Sequence, residues 1–390
     1  MGSEATSPAA LTGPARPPRL PVGNGRARSP LAVGVIAPPY FPLPPPGYGG
    51  IERVVALLVD GLVDRGHDVT LFAAAGSRTK AALVASLAQP PTLGHPGAPS
   101  AELFHVTSAY LDAHRFDVVH DHSGMGPALA AMRAGGPPVV HTLHGPWTPE
   151  ARRFYELVQH RVDLVAISRD QRAANPGLRY AGVVHNGIDL GLHPFVPTKG
   201  DYLAYVGRVS PEKRPELAIE IARRAGLPLV MVVKRSEPAE RAYWAAKVAP
   251  LLDGTVTVLD QPPHHVKVDV LGHARAMLFP IDWPEPFGLV MTESMACGTP
   301  VIGRPLGAAT EVVDHGVTGF LCDTVDEMVA AVDAVRALRP GDCRRRVEQL
   351  FSAPAMVEGY ERIYEHAVRR RHGAHVGRGA RAGHGRLHAS

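Results

Sequence analysis

Short apolar runs alternate with helical patterns along this chain, and the alternation starts twice. A first series opens at 31–37, and a second opens at 202–206 after a proline-marked stretch at 194–197. Short apolar strands separated by helices are typical of parallel sheets that carry helices on both faces. The pattern therefore predicts an α/β protein with two doubly wound domains that face a central cleft.

The remaining predicted elements divide the chain into five segments. Further strands are predicted at 69–73, 117–120, 139–143, 164–168, 183–185, 229–233, 256–259, 276–280, 301–302 and 320–322, and helices at 51–65, 325–338 and 354–371. The predicted segments are a disordered N-terminal tail (1–30), a first domain (31–195), a second domain (196–350), a C-terminal helix able to pack back on the first domain (351–371) and a disordered basic tail (372–390).

The net charge of +4 is concentrated at the two ends of the chain. Residues 369–390 carry six arginines and no acid, and residues 1–30 carry four arginines and one glutamate, which leaves −5 for residues 31–368. A mildly acidic body with basic ends does not indicate a nucleic-acid-binding protein. No apolar run reaches transmembrane length, and residues 1–30 lack the apolar segment of a signal peptide. The sequence permits association with a membrane without indicating it.

The cysteine content points to a reducing environment. Cys297, Cys322 and Cys343 are too few and too scattered for a disulfide framework or a zinc cluster. We therefore expect a cytoplasmic protein. We also expect that it uses no cofactor.

Two carboxylates spaced eight residues apart give the clearest chemical signal. Glu285 and Glu293 flank a Pro-Phe-Gly turn that opens an apolar helix. The free N–H groups and positive dipole end of such a helix suit a diphosphate. Glu285 remains in the loop, where it can meet sugar hydroxyls, and Glu293 lies about one turn into the helix, within reach of a ribose diol. Phe287 belongs to the same turn and is expected to contact substrate.

A pair of cations follows the first strand of the second domain. Arg208 and Lys213 lie five residues apart on a turn into a helix. Such a pair can converge on one pyrophosphate, with the arginine as a planar fork and the lysine as a point charge. Cations at a helix start oppose the helix dipole, which favours an anionic ligand over two merely solvated charges.

Glycines and histidines follow the strands of the first domain. Gly49 and Gly50 open its first helix and allow close approach of the backbone to a phosphate or a sugar. His120 and His122 follow one strand, and His144 follows the next. At least one of these histidines is expected to be structural and another to face the cleft. No matching cluster of ligands accompanies them, so no metal is expected.

The motifs together resemble the family 4 retaining glycosyltransferases, whose fold is the GT-B arrangement of two Rossmann-like domains. The likeness runs from about residue 31 to residue 371. Its most specific element is 285–293, which looks like the Glu-x7-Glu signature of that family. The supporting segments are 49–55, 65–70, 166–168, 185–189, 295–302 and 311–313.

The resemblance implies a donor site in the second domain. Arg208 and Lys213 would hold the diphosphate of a nucleoside-diphosphate sugar, with added N–H donors from Gly288 and Leu289. Glu293 would bind the ribose hydroxyls.

The resemblance also implies contacts to the transferred sugar. Glu285 would contact this sugar near the reacting carbon. In similar enzymes a histidine of the first domain faces the donor sugar; His122 fits best, with His120 as the second choice. Gly49 and Gly50 would line the cleft beside the donor phosphate. Acceptor contacts would come from loops of the first domain.

Two departures from the family pattern leave the nucleotide base open. Family members often have glycine after the lysine of the Arg/Lys motif, whereas Arg214 follows Lys213 here. Many also carry a glycine-rich loop after the next strand, where this chain has Lys234 and Arg235, which are candidates for contacts to base or phosphate.

The implied activity is transfer of a sugar, of the hexosyltransferase type, to an acceptor hydroxyl. Transfer would retain the anomeric configuration by attack on the leaving-group side, without a metal, and the acceptor would be a sugar, a lipid-linked molecule or a small molecule. A nucleotide-sugar epimerase of the same fold and a non-catalytic sugar-nucleotide-binding module remain as alternatives, since fold alone does not fix function.

Overall fold

The computed structural model of the protein describes residues 29–47, 49–92, 95 and 97–383. Apart from Ser29 and Pro30, the predicted N-terminal tail lies outside the described residues, and so do residues 384–390 of the predicted basic tail. From Leu31 onward the chain forms one compact unit that contains two separate sheets.

The first sheet has seven strands, all parallel, in the order β3-β2-β1-β4-β5-β6-β7. Its strands are β1 (Ala32–Ile36), β2 (Asp68–Phe72), β3 (Ala82–Val84), β4 (Val118–Asp121), β5 (Val139–Leu143), β6 (Asp163–Ala166) and β7 (Tyr180–Val183). The direction of winding reverses between β1 and β4, so the loops after these two strands diverge and open a crevice.

The second sheet has six strands, all parallel, in the order β10-β9-β8-β11-β12-β13. Its strands are β8 (Leu203–Arg208), β9 (Leu229–Lys234), β10 (Val256–Asp260), β11 (Ala276–Phe279), β12 (Val301–Gly303) and β13 (Gly319–Leu321). Its winding reverses between β8 and β11, which places the Arg/Lys loop and the Glu-x7-Glu loop side by side. The two Rossmann-like domains of the sequence prediction are confirmed.

Thirteen α-helices connect or cover these strands in the described residues. They are α1 (Gly50–Asp64), α2 (Ala98–Leu111), α3 (Gly126–Met132), α4 (Pro149–Val158), α5 (Arg169–Ala173), α6 (Pro215–Arg224), α7 (Pro238–Tyr243), α8 (His264–His273), α9 (Leu289–Ala296), α10 (Ala309–Val312), α11 (Val325–Ala334), α12 (Pro340–Leu350) and α13 (Ala353–Gly383). In the part of the chain that the structure describes, no helix is both long and apolar enough to cross a membrane.

Helix α13 follows the second domain in sequence but packs on the first sheet. Its Val357, Tyr360 and Tyr364 are almost fully buried in the core beneath α1. Glu361 accepts two hydrogen bonds from Arg65 at the end of α1, at 2.6 and 2.7 Å. The same carboxylate lies 3.1 Å from the ring of the buried His67. The last helix of the chain is thus part of the first domain's core.

Strand β3 and helix α12 are among the elements that the sequence analysis did not locate, and helix α13 runs further than expected. Strand β3 has only three residues and is largely exposed at the edge of its sheet. Helix α12 has five charged residues among its eleven and buries only Cys343 and Val347, one turn apart. Helix α13 continues to Gly383, twelve residues beyond the predicted end, since an existing helix adds one hydrogen bond for each further residue. All three cysteines are free and buried.

Candidate active site

A cleft of about 400 Å³ is lined by loops from both domains. It contains most of the site residues that the sequence predicts, including Arg208, Lys213, Glu285 and Glu293 on one shared surface. The first domain contributes Gly49, Gly50 and His144, and the second also contributes Phe287, Gly288 and Leu289. Residues more than 200 positions apart in sequence therefore meet where both sheets reverse their winding.

The N-terminus of α9 forms the floor of the cleft. Gly288 precedes the helix with φ of 80°, in the left-handed region, and no side chain caps the helix. A Cβ at this position would lie 2.6 Å from Met291 and 3.2 Å from the Glu285 side chain, so only glycine fits. Phe287 is buried in the hydrophobic core of the second domain, and its burial fixes the position of the turn. The first N–H groups of the helix and its positive dipole end are left for an anion.

The N-terminus of α1 approaches α9 from the other domain. A Cβ on Gly50 would lie 3.2 Å from the Leu289 side chain, and Gly49 has φ of 147°. Small residues are needed here because the two helix ends come close together. The cleft therefore has two positive helix ends near one point.

Lys213 and Glu285 are paired directly. The Lys213 ammonium bonds to Glu285 Oε2, and the indole N–H of Trp283 donates to the same oxygen at 2.9 Å. The ammonium also lies 4.9 Å from the centre of the Trp283 ring, within range of a cation–π contact. Both charged side chains are largely buried, at 15% and 12% exposure. Trp283 was missed in the sequence, although it lies only two residues before Glu285.

Arg208 is held among carboxylates at the end of β8. It donates to Glu212 at 3.0 Å and lies 4.0 Å from Glu240, which also accepts from Lys234 at 3.0 Å. Lys234 lines the cleft, whereas Arg235 pairs with Asp260 at 2.8 Å. Of the two cations on this strand end, Lys234 is the one that reaches the cleft.

Arg214 stands where family members often have glycine, and the structure shows how the turn accommodates it. Arg214 adopts φ of 49° and ψ of 51°, the left-handed conformation that glycine tolerates best. Its guanidinium donates to Glu216 at 2.5 Å and to Asp282 at 3.0 Å. These bonds offset the backbone cost of about 1–2 kcal/mol, so the turn that presents Lys213 is kept without glycine.

Glu293 is the fifth residue of α9 and also lines the cleft. Its side chain is 7% exposed and accepts a hydrogen bond from Lys267 at 2.6 Å. Burial alone would raise the pKa of Glu293, but Lys267 and His193 outweigh burial and hold it below its usual range. The carboxylate is therefore ionised at neutral pH.

The three histidines lie at different depths from the cleft. His144 lines the cleft. His122 is buried, with Nδ1 at 2.8 Å from His144 Nε2. His120 has no exposed surface, and its ring nitrogens bond to Tyr364 at 2.6 Å and Thr142 at 2.7 Å. The predicted order, with His122 first and His120 second, thus differs from the order of exposure to the cleft, in which His144 comes first.

The docking of α13 explains why His120 is buried. His120 is inside β4, on the face that Tyr364 covers, and the tilted ring of His122 lies against it, with 3.9 Å between ring centres. Burial lowers the pKa of His144 to about 4 and keeps the pKa of His120 and His122 well below its ordinary value. These histidines are neutral at pH 7, so they act as hydrogen-bond partners and not as cations.

Further residues that line the cleft were given no role in the sequence analysis. They include Arg53, Asn186, His264 and Lys267. His264 and Lys267 lie just after β10, where the rule that ligands bind beyond strand ends could have found them. Within the described residues, no group of three or more His, Cys, Asp or Glu side chains is arranged to hold a metal ion.

The chain is similar to known proteins along most of its length. A phosphatidyl-myo-inositol mannosyltransferase from Propionibacterium freudenreichii is 27% identical over 350 residues, covering 80% of this chain and 88% of the relative. A D-inositol 3-phosphate glycosyltransferase from Frankia alni is 29% identical over 400 residues, covering 84% and 97%. The crystal structure of AviGT4, a glycosyltransferase involved in avilamycin A biosynthesis, superposes with a TM-score of 0.63 at 26% identity, covering 87% of this chain and 98% of that one.

Family models match the two domains in turn. The model described as Glycosyltransferase Family 4 matches residues 48–192, and the model described as Glycosyl transferases group 1 matches residues 194–348. The two matches meet at the junction between the sheets and together span both walls of the cleft. The resemblance drawn from the Glu-x7-Glu segment is confirmed, and the chain belongs to glycosyltransferase family 4.

Proposed function

We propose that the protein moves a sugar from a nucleoside-diphosphate sugar to an acceptor hydroxyl, with retention of configuration and without a metal. The observation that carries this proposal is the convergence of Arg208, Lys213, Glu285 and the α9 N-terminus on one cleft. Two cations and a helix end beside a carboxylate suit a diphosphate joined to a sugar.

Donor binding exchanges partners in the cleft. Lys213 is now paired with Glu285, and Arg208 with Glu212. Diphosphate oxygens would take over the two cations, which releases the Glu285 oxygen that Lys213 holds. Trp283 still anchors this carboxylate through its indole N–H. Glu285 would then accept hydrogen bonds from hydroxyls of the donor sugar.

In the reaction, the bond between the anomeric carbon and the β-phosphate oxygen breaks, and its electrons remain on that phosphate. Arg208, Lys213 and the N–H groups at the start of α9 stabilise the developing charge. The acceptor oxygen bonds to the same face of the sugar, and its proton passes to the departing phosphate. Because the leaving group serves as the base, no protein side chain needs to be the nucleophile.

His144 takes the role that the sequence analysis gave to His122. It lines the first-domain side of the cleft and is neutral at pH 7. A neutral imidazole held by His122 at 2.8 Å suits a hydrogen bond to a sugar hydroxyl without repelling the positive charge that develops on the sugar ring. Closure of the two domains would exclude water from this pocket.

The relatives suggest which acceptors to try first. Two of them are named for phosphatidyl-myo-inositol and for D-inositol 3-phosphate, so polyol phosphates, free and lipid-linked, lead the list of sugar, lipid-linked and small-molecule acceptors.

The test combines a donor screen with product analysis. Thermal-shift measurements against UDP-, GDP- and ADP-sugars identify the donor, because a ligand that binds only the folded state raises its stability. Release of nucleoside diphosphate is then followed with inositol 3-phosphate and phosphatidylinositol, and NMR of the product gives its anomeric configuration. We expect acceptor-dependent release and a retained configuration.

Three outcomes would contradict the proposal. Conversion of the donor to another nucleotide sugar without an acceptor would indicate an epimerase. Tight donor binding with neither transfer nor hydrolysis would indicate a binding module. An inverted product would contradict the front-side mechanism, and activity that is lost with EDTA and restored by a divalent cation would contradict metal independence.

A further inference from the structure

A second cavity lies on the first domain, at the end of the sheet opposite to the cleft. It has a volume of about 490 Å³ and is lined by the loops that precede β6 and β7 and by two residues of α13. Asp163, the first residue of β6, lines this cavity, whereas Ile167, just after the last residue of that strand, lines the cleft. The two sites therefore lie at opposite ends of one strand, and among the described residues they share none of their lining.

Positive charge is concentrated around this cavity. Three arginines and one aspartate are among its lining residues, which gives an excess of two positive charges. They are Arg161, Arg179, Arg370 and Asp163. By contrast, residues 31–368 as a whole carry a net charge of −5. Because like charges repel, such a cluster costs stability unless an anion lies between its members.

One of the three arginines is already paired. Nη2 of Arg370 donates to both carboxylate oxygens of Asp163, at 2.6 and 2.7 Å, and the Asp163 side chain is only 11% exposed. Arg161 and Arg179 form no ion pair with a carboxylate in the part of the chain that the structure describes. The cavity therefore offers two uncompensated guanidinium groups, and the carboxylate that lines it is already occupied.

Hydrogen bonds hold the two loops of the cavity in a fixed relation. The backbone N–H of Arg179 donates to Gln159 Oε1 at 2.9 Å, and Nη1 of the same arginine donates to His160 Nδ1 at 3.2 Å. Because Nδ1 accepts, a neutral His160 carries its hydrogen on Nε2, which is a further donor. The donors are thus positioned before a ligand binds, and this lowers the entropy that binding costs.

The lining residues indicate a ligand with phosphate chemistry. A guanidinium group is a planar fork of N–H donors that matches the oxygens of a phosphate. A phosphate monoester carries about two negative charges at neutral pH, which equals the excess of positive charge at the cavity. Sites for apolar ligands are lined mainly by apolar side chains, whereas only Val162 and Ala181 of the ten lining residues here are aliphatic. The volume falls within the range of about 300–1,000 Å³ that is usual for small-molecule sites.

We propose that this cavity is a second anion site, separate from the active site, which binds the phosphate group of a phosphorylated small molecule. In the bound state, Arg161 and Arg179 hold the phosphate from the loops, and the remaining N–H groups of Arg370 hold it from α13. The ligand thereby joins α13 to the loops before β6 and β7. The inference does not depend on the proposed function, because the site is distinct from the cleft.

Hydrogen exchange of the full chain tests the proposal, because it reports on each site separately. Glycerol 3-phosphate replaces chloride at constant ionic strength and constant pH. We expect slower exchange in peptides that contain residues 159–163 and 174–180, and the concentration dependence of this protection gives a dissociation constant. Protection confined to peptides of the cleft, such as 286–293, would overturn the inference, and so would the absence of any protection.

Two variants connect the protection to the arginines. Arg161→Gln and Arg179→Gln each remove one charged donor and should raise the dissociation constant about tenfold or more. Arg153→Gln removes the same charge from an exposed position of α4 outside the cavity and should keep the constant within about twofold. Arg161 takes no part in the bonds between the two loops, so Arg161→Gln remains a test if Arg179→Gln disturbs them. Unchanged affinity in both cavity variants, or an equal loss in Arg153→Gln, would overturn the inference.

A phosphate group can also belong to a lipid headgroup, and a vesicle experiment separates this source from a soluble one. Sedimentation compares vesicles of phosphatidylcholine with vesicles that also contain phosphatidic acid. Binding to the second kind alone, weakened in Arg161→Gln, would identify a lipid phosphate as the ligand of the cavity. No binding, or binding that Arg161→Gln leaves unchanged, would identify a soluble phosphate ester.

Discussion

The two walls of the cleft use different chemistry. The wall from the second domain is charged and internally paired, with Lys213 bonded to Glu285 and Lys267 bonded to Glu293. The wall from the first domain presents glycine backbone and the neutral His144, with Arg53 as its single charged residue among the described residues that line the cleft. The charged wall can thus exchange ionic partners with an anionic ligand. The other, nearly neutral wall comes close to that ligand and adds one charge.

The walls also differ in how they are supported. The charged wall is held from within its own domain, by α8 and α9. The neutral wall is held from behind by α13, whose Tyr364 and Tyr360 bond to His120 and Thr142. The support of the first domain therefore comes from the end of the chain, and this difference can be tested.

The largest expected effect is a loss of stability when α13 no longer supports the neutral wall. Glu361→Ala removes the carboxylate that pairs with Arg65 and His67 and leaves buried groups unpaired. We expect the free energy of unfolding to fall by about 3–5 kcal/mol, measured by urea denaturation. Glu358→Ala, on the same helix but exposed and paired with Arg362 in i,i+4 spacing, should cost less than about 1 kcal/mol. Equal costs would mean that α13 does not hold the first domain.

The charged wall should govern turnover and not stability. Glu285→Ala removes the partner of Lys213 and Trp283, and we expect sugar transfer to fall about 10²–10³-fold, since charge stabilisation in a closed site is worth about 3–4 kcal/mol. Arg208→Ala should fall by a similar factor. Initial rates of nucleoside diphosphate release measure both, with the exposed Glu220→Ala as control. Near-normal turnover in either folded variant would remove these residues from the mechanism.

The effects of replacing the three histidines should differ according to how deeply each side chain is buried. His144→Ala should lower kcat about 10–100-fold, the worth of one hydrogen bond near developing charge, with an unchanged melting temperature. His120→Ala, in the core, should instead lower the melting temperature. His122→Ala should lower both kcat and the melting temperature, each by less than the variant that affects it most. A catalytic loss in His122→Ala that exceeds the loss in His144→Ala would restore the original assignment from sequence.

The smallest expected effect is a difference in acid sensitivity. Burial lowers the pKa of His141 to about 3 and of His144 to about 4, so below pH 6.5 the unfolded chain binds protons that the folded first domain does not. Stability of this domain should fall between about pH 6.5 and pH 4, by up to about 1.4 kcal/mol per pH unit for each histidine. The other wall has one such histidine, His264, whose pKa burial also lowers to about 4, so it should respond less strongly. The lowered pKa of Glu293 affects that wall only below its unfolded value of 4.5.

Hydrogen exchange distinguishes the two walls in this respect. At pH 5.5, after correction for intrinsic rates, peptides from β4 and β5 should lose protection before peptides from α9. Simultaneous loss in both walls, or earlier loss in α9, would contradict the difference in charge that we describe.

How much could be read from the sequence differs between the walls as well. The charged wall was largely predicted, because Arg208, Lys213, Glu285 and Glu293 lie on two short segments with fixed spacing. Among the residues that escaped there is Lys267, which reaches Glu293 from a separate helix. The spacing of residues along one segment contains no information on partners from another.

The neutral wall was predicted less well. Strand β5 was placed with the bounds that the structure has, and the glycines were recognised. The order of His120, His122 and His144 was not, because it depends on Tyr364, more than 200 residues away. A histidine that follows a strand can point to either face of the sheet, and only the docking of α13 decides which face is buried.

The central claim is that a donor diphosphate lies between the two positive side chains and the tip of α9. A crystal structure of the protein with its nucleoside diphosphate tests this claim most directly. We predict β-phosphate oxygens within about 3.2 Å of Arg208, Lys213 and the backbone N–H of Leu289, with the Lys213–Glu285 pair opened. A diphosphate bound outside this cleft, or bound in it while Lys213 remains on Glu285 and Arg208 on Glu212, would contradict the account.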